Sequence, residues 1–262
     1  MDLSDAYAVS RYIPNAESYR DRWSRQGAAF RDALGDRAEL AVPYGDSPRQ
    51  IYDLFRPETA LRGTVIFVHG GYWRSNSPSD WSWLAAGPLA HGWAVAMPGY
   101  DLCPAVRISD ITRQVAAAIE AISTRGAGPV SLAGHSAGGH LVSRMLDPDI
   151  LPKEVRNRLT CVVPISPLGD LRPILQTDMN ADLRLDAREA EAESPIFMQN
   201  RHPVPVTVLV GGQERPVFLD QARWMSEAWG IEQIIDAPRH HFDVIDALAD
   251  PQSDLTLRLI GG

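Results

Sequence analysis

The sequence predicts an α/β protein built on a mostly parallel, doubly wound sheet of about eight strands that opens with an antiparallel hairpin. Three observations carry this. Thr64–Val68, Ala94–Met97, Val130–Ala133, Cys161–Ile165 and Val206–Val210 are near-continuous apolar runs, as strands buried on both faces require. The stretches between them are long enough for crossover helices, which parallel neighbours need. Ahead of them, Glu39-Leu-Ala-Val-Pro-Tyr-Gly and Gln50-Ile-Tyr-Asp-Leu-Phe-Arg-Pro flank a Gly-Asp-Ser-Pro turn, and the second alternates apolar and polar residues as a half-buried strand does.

Taken in order, residues 1–38 form an N-terminal helical segment. Its apolar positions, with Tyr19, Trp23, Phe30 and Leu34 among them, are loosely helical in spacing, and Gly35 marks the stop. The segment is expected to cover a sheet edge or shape a site entrance. After the hairpin, helices are expected at Ser79–His91, Asp110–Thr124, Ser136–Leu146, Pro216–Trp229 and beyond His241. Asp110 has N-cap chemistry, and Gly92, Gly126 and Gly230 stand where helices should end. Ile231–Ile235 is expected as a further strand at the sheet edge. Residues 169–203 break the alternation with interleaved acids, leucines and alanines. They read as a helical excursion, either a cap over a site or a solvated surface pair. No linker, repeat or low-complexity run divides the chain, so residues 1–262 are expected to be one domain.

Composition narrows the function classes. A net charge of −8 argues against nucleic acid or an anionic membrane surface as partner. No apolar stretch approaches the roughly 18 residues of a membrane span. The acidic start, Met-Asp-Leu-Ser-Asp, lacks the basic and apolar regions of a signal peptide. Cys103 and Cys161 lie beside apolar runs and read as reduced, buried thiols, so a cytoplasmic protein is expected. The expected partner is a small molecule, with a homodimer left open.

The chemistry centres on residues 130–140. An apolar strand meets Gly134-His135-Ser136-Ala137-Gly138-Gly139 and then a helix-compatible stretch. Reversing from strand to helix in so few residues strains the serine backbone and exposes Oγ above the sheet at a helix N-terminus. Gly134 and Gly138 leave room for the turn, and Gly139 lets the helix sit close to the strand. Ser136 is therefore the candidate nucleophile. An activated serine also needs a base, an acid to orient it and donors for the oxyanion. His69-Gly70-Gly71-Tyr72-Trp73 directly follows a strand, and its glycines let N–H groups turn toward a carbonyl oxygen; the amide of Ala137 would add another. His69 is expected to organise this loop. Among the histidines after the serine, His140 sits on the departing helix and His202 precedes its strand, whereas His240-His241-Phe242 follows the last strand. His241 is preferred to His240 because Phe242 and the last helical stretch follow it directly. Glu214 is the first carboxylate beyond Val206–Val210, with Asp170 as its rival; Asp243 is too near His241 in the chain. The histidines lack metal-ligand spacing, and Gly134–Gly139 is not a dinucleotide fingerprint, so no metal or cofactor is expected.

Together, His-Gly-Gly-Tyr-Trp (69–73), Gly-His-Ser-Ala-Gly-Gly-His (134–140), Gly-Gly-Gln-Glu (211–214) and His-Phe (241–242) resemble the α/β-hydrolase superfamily. Within it the chain looks most like the kynurenine formamidase (arylformamidase) branch near the hormone-sensitive-lipase-like esterases. Tyr100-Asp-Leu-Cys-Pro104 also looks like a loop of those esterases. The resemblance puts the nucleophile on Ser136, the base on His241 and the acid, usually an aspartate, on Glu214. It implies oxyanion donors from Gly70, Gly71 or Tyr72 and from Ala137. Substrate contacts are expected from Tyr72, Trp73 and His135, whereas Trp81 and Trp83 are expected in the core. The implied activity is hydrolysis of N-formyl-kynurenine-like formamides through an acyl-enzyme. A carboxylesterase or thioesterase on small acyl groups would use the same parts; an acyltransferase or a non-catalytic ligand-binding protein ranks lower. Whether Arg74, Arg201 or Arg239 meets a substrate carboxylate stays open.

Overall fold

The computed structural model describes residues 2–261. Its centre is an eight-stranded sheet: β1 (Ala38–Pro43), β2 (Ile51–Phe55), β3 (Gly63–Val68), β4 (Trp93–Pro98), β5 (Val130–His135), β6 (Leu159–Ile165), β7 (Thr207–Gly211) and β8 (Glu232–Asp236). The spatial order is β1-β2-β4-β3-β5-β6-β7-β8. β1 and β2 form the antiparallel hairpin, and β2 joins the sheet by an antiparallel pairing with β4. Every later pairing is parallel.

Alternation along the central strands feeds two cores. Ile66 and Val68 of β3, Ala94 and Ala96 of β4 and Leu132 of β5 face one side, with Val162 and Val208. Val65, Phe67, Val95, Met97, Ala133, Val163 and Leu209 face the other. The first face is covered by helix Ile108–Ser123, whose Ile108, Ile111, Val115, Ala118, Ile119 and Ile122 make one apolar stripe. Helices Ala137–Arg144 and Pro216–Trp229 complete that layer. The second face is closed by Trp23 of helix Ala16–Leu34, by Trp81, Trp83 and Leu84, and by Leu255 and Leu259 near the C-terminus. Among the described residues no helix is long and apolar enough to cross a membrane. Cys103 and Cys161 are buried free thiols, and burial pushes both up to about 11.

Several helical expectations need correction. The stretch expected as one helix at 79–91 is a 3₁₀ segment, Pro78–Ala85, followed by a short α-helix, Ala86–Ala90. Pro88 lacks an amide to donate, and Gly87 lies so close to the Leu248 carbonyl that a Cβ there would approach within 2.3 Å. Asp110 is not the N-cap but the third helical residue, and its carboxylate accepts the Arg107 N–H at 2.9 Å. The N-terminal segment, read as one or two helices, holds Leu3–Ala6, a 3₁₀ turn at Ser10–Tyr12 and Ala16–Leu34, with Pro14 between the last two. Residues 169–203 hold four short helical pieces, two of them led by a proline at their first turn.

The turn after β5 is packed backbone against backbone. Ser136 adopts φ 55° and ψ −117° between β5 and the following helix. A Cβ on Gly138 would lie 1.9 Å from the Val68 carbonyl oxygen, and one on Gly134 2.2 Å from that of Gly138. These obstacles are backbone, which cannot swing aside. Gly138→Ala is therefore expected to lower unfolding free energy by about 3 kcal/mol, read as a drop in the urea midpoint at unchanged m-value.

Candidate active site

Ser136 stands at the C-terminal end of β5, and its backbone N–H donates to the Ile165 carbonyl of neighbouring β6 at 2.8 Å. It opens into a cavity of about 1170 Å³ that His241 also lines. His241 reaches it from the loop after β8, and Glu214 approaches from the loop after β7. The two meet at 2.5 Å, His241 Nδ1 to Glu214 Oε2. The other carboxylate oxygen accepts the Gly211 N–H at 2.8 Å and the Ser166 hydroxyl. A buried carboxylate is costly unless donors surround it; here three do. With Nδ1 donating to the carboxylate, Nε2 is left as the acceptor.

The rival residues lie elsewhere. His240 Nε2 contacts the Tyr19 hydroxyl at 3.0 Å, and its backbone N–H donates to Asp243. Asp170 is bound by Arg172 through both backbone and guanidinium. His140 is buried, with Nε2 on the Glu193 carbonyl at 2.7 Å and its ring edge-on to Trp73.

The His69–Trp73 turn presses on the serine: a Cβ on Gly70 would lie 2.9 Å from that of Ser136. Gly71, Tyr72 and Trp73 have φ of 114°, 50° and 56°, a left-handed run that curls the chain back on itself. Among the described residues the N–H groups of Gly71, Tyr72 and Ala137 donate to no protein acceptor. His69 underpins the turn. Its Nδ1 meets the Gly70 carbonyl at 2.8 Å, its ring stacks on Tyr100 at 4.4 Å, and the Tyr100 hydroxyl donates to its carbonyl.

The cavity walls only partly match expectation. Tyr72 and His135 line the cavity; Trp73 does not. Trp73 is fully buried in the core against His140, because its backbone curl turns it inward, so its expected substrate contact is corrected to packing. Trp81 both packs in the core and lines the cavity, with Trp23 and Phe242 beside it; Trp83 is core. Arg74 lines the wall paired with Asp182 at 2.6 Å, whereas Arg201 lies over Trp229 and Arg239 pairs with Asp243. The N-terminal segment, expected to cover a sheet edge or shape a site entrance, forms a strap (residues 2–23) along the cavity. Ser4, Tyr7, Val9, Arg11, Arg20 and Trp23 all contribute to the wall. The strap is tied down by Tyr72 Oη on the Tyr7 carbonyl, Gln221 on the Tyr7 hydroxyl and Arg215 on Asp5. Nothing in its sequence marks these contacts, since each partner is distant in the chain.

His135 has a second role. Its Nε2 donates to the carbonyl of His241 at 2.8 Å, and the two rings lie 4.7 Å apart. Burial, with His241 nearby, holds His135 well below the usual imidazole range, so its ring is neutral. Burial likewise lowers His69 to about 4 and His140 to about 3. Each of these takes up a proton on unfolding between its folded value and 6.5, so its contribution to stability is present above that window and lost as pH falls through it. Asp246, raised by burial to about 6, and Asp53, also raised by burial, oppose them, but three imidazoles outnumber two carboxylates. The melting temperature is expected to fall by several degrees as pH drops from 7 to 5, measured by thermal unfolding at constant ionic strength.

Comparison with known proteins bears on the family and the fold. Residues 65–223 match a family model described as the alpha/beta hydrolase fold. Kynurenine formamidase of Salmo salar is 30% identical over 239 residues, covering 84% of this chain and 80% of that protein. The Danio rerio kynurenine formamidase is 28% identical over 85% of this chain and 82% of its own. A crystal structure from a Silicibacter species, provisionally called a thioesterase, is 54% identical with a TM-score of 0.97 over 99% of both chains. Esterase B of Lactobacillus rhamnosis, at 19% identity and TM-score 0.68 over 92% of this chain and 90% of its own, shares the fold. With its eight-stranded sheet, the turn at Ser136 and a family match over more than half its length, the chain belongs to the α/β-hydrolase family.

Proposed function

We propose that this protein is a serine hydrolase acting through Ser136, His241 and Glu214, and that its substrate is an N-formyl arylamine of the N-formyl-kynurenine kind. The observation that carries the chemistry is the Glu214–His241 pair at 2.5 Å, whose His241 lines the same cavity as Ser136. His241 Nε2 takes the Ser136 proton as Oγ attacks the formyl carbon. The N–H groups of Gly71 or Tyr72 and of Ala137, which lack protein acceptors, receive the oxyanion. Collapse expels the arylamine, protonated by His241, and leaves a formyl ester on Ser136. Water, deprotonated by the same imidazole, then releases formate and restores the serine.

The aromatic substrate is supported by the cavity wall. Tyr72, Trp23, Trp81 and Phe242 offer faces and edges on which an aniline ring can lie. The formamidase names of the curated relatives point the same way. A thioesterase is the second reading, favoured by the provisional name of the Silicibacter relative. In either case residues 1–262 act as one domain, with the strap and part of 169–203 as walls of the site.

Three substrates separate these readings: N-formyl-kynurenine, p-nitrophenyl acetate and a short acyl thioester. The formamide is expected to reach kcat/KM of about 10⁴ M⁻¹s⁻¹ or above and to exceed the other two. Higher turnover of the thioester would replace the substrate assignment while leaving the triad intact. Ser136→Ala is expected to lose roughly 10³-fold or more on whichever substrate is best, and His241→Ala a similar amount. Full activity in Ser136→Ala would overturn the mechanism.

A further inference from the structure

β6 lies between the strand that carries the candidate nucleophile and the strand that leads to the candidate acid. Its last residue, Ile165, accepts the Ser136 N–H at 2.8 Å. The next residue, Ser166, has φ 48°, is fully buried, and donates its N–H to the Leu209 carbonyl of β7 at 2.6 Å. Its hydroxyl donates to Glu214 Oε1. A left-handed conformation is unfavourable for a residue with a Cβ and persists only where surrounding contacts over-determine it. Ser166 is held in this way against β7 and the loop that follows it.

We propose that Ser166 is a positioning residue whose hydroxyl keeps the Glu214 carboxylate aimed at His241. The inference rests on the Ser136–His241–Glu214 reading. A glutamate has one more rotatable bond than an aspartate, so it loses more freedom when fixed on an imidazole. Ser166 Oγ and Gly211 N–H fasten Oε1 from two directions, and that leaves Oε2 in line with Nδ1. The Ser166 hydrogen bond is charge-assisted, hence among the stronger kinds. It also draws negative charge toward Oε1 and away from the oxygen facing the imidazole. Ser166 thus supplies what the departure from aspartate to glutamate requires.

The test compares wild type, Ser166→Ala, Ser166→Gly and Ser136→Ala on the fastest of the three substrates, with melting temperatures recorded for each. Ser166→Ala is expected to lower kcat by about tenfold or more with little change in KM, since the loss of one hydrogen bond to a charged group has that size. The acidic limb of its kcat/KM profile is expected to move to higher pH, because more negative charge on Oε2 favours the imidazolium. Ser166→Gly removes the hydroxyl but relieves the left-handed backbone, so it keeps the test alive if the alanine variant does not fold. An equal loss of kcat in the glycine variant supports a hydroxyl role. Wild-type kcat and pH profile in Ser166→Gly would mean that only the backbone matters, and would overturn the proposal. Retained activity in Ser136→Ala would instead overturn the triad reading beneath it, and that outcome is separate from the first.

Discussion

The contact on which the site depends is backbone against backbone: Gly138, in the first turn of the helix after β5, lies against the Val68 and His69 carbonyls at the end of β3. No side chain fits between them. Because the helix can approach so closely, the turn at Ser136 and the turn at Gly70–Trp73 become one surface, with Gly70 packed on the serine itself. Parallel strands supply the rest of the arrangement. Their C-terminal ends all lie on one side of the sheet, so loops after β3, β5, β7 and β8 converge there regardless of their separation in the chain.

Around that surface, charge is tightly managed. Buried imidazoles at His69, His135 and His140 are kept neutral by desolvation, and each holds a carbonyl in place. The buried carboxylate at Glu214 is different, because it is surrounded by three donors and one of them is His241. His241 thus faces the Glu214 carboxylate on one side and the neutral His135 ring on another.

The cavity in front of the serine is assembled from parts that have no local reason to meet. Tyr72, in the turn after β3, is hydrogen-bonded to the Tyr7 carbonyl, and Asp178 donates its backbone N–H to Ser4. The ion pair of Arg74 with Asp182 joins the same turn to the 169–203 segment. The strap and this segment therefore limit what can lie over Ser136, and aromatic faces from Trp23, Trp81 and Phe242 line the space that remains.

Much of this architecture was legible in the chain itself. Buried parallel strands leave apolar runs, the tight turn after β5 demands glycines at set offsets, and the loops that follow strands carry Ser136, Glu214 and His241 in a recognisable order. Helix boundaries were less legible: Gly87 and Pro88 interrupt what reads as one helix, and Asp110 caps from three residues inside. Other features depended entirely on three-dimensional packing. Trp73 sits in the same short motif as Tyr72, yet backbone curl sends it into the core while Tyr72 lines the cavity. Ser166 carries no motif of its own, and its carboxylate partner is 48 residues away. The sheet, the glycine turns and the residue types available at strand ends are written in the chain, because they follow from local sterics and periodicity. Which side chains meet is not, since such contacts depend on how distant strands and the N-terminal strap pack together.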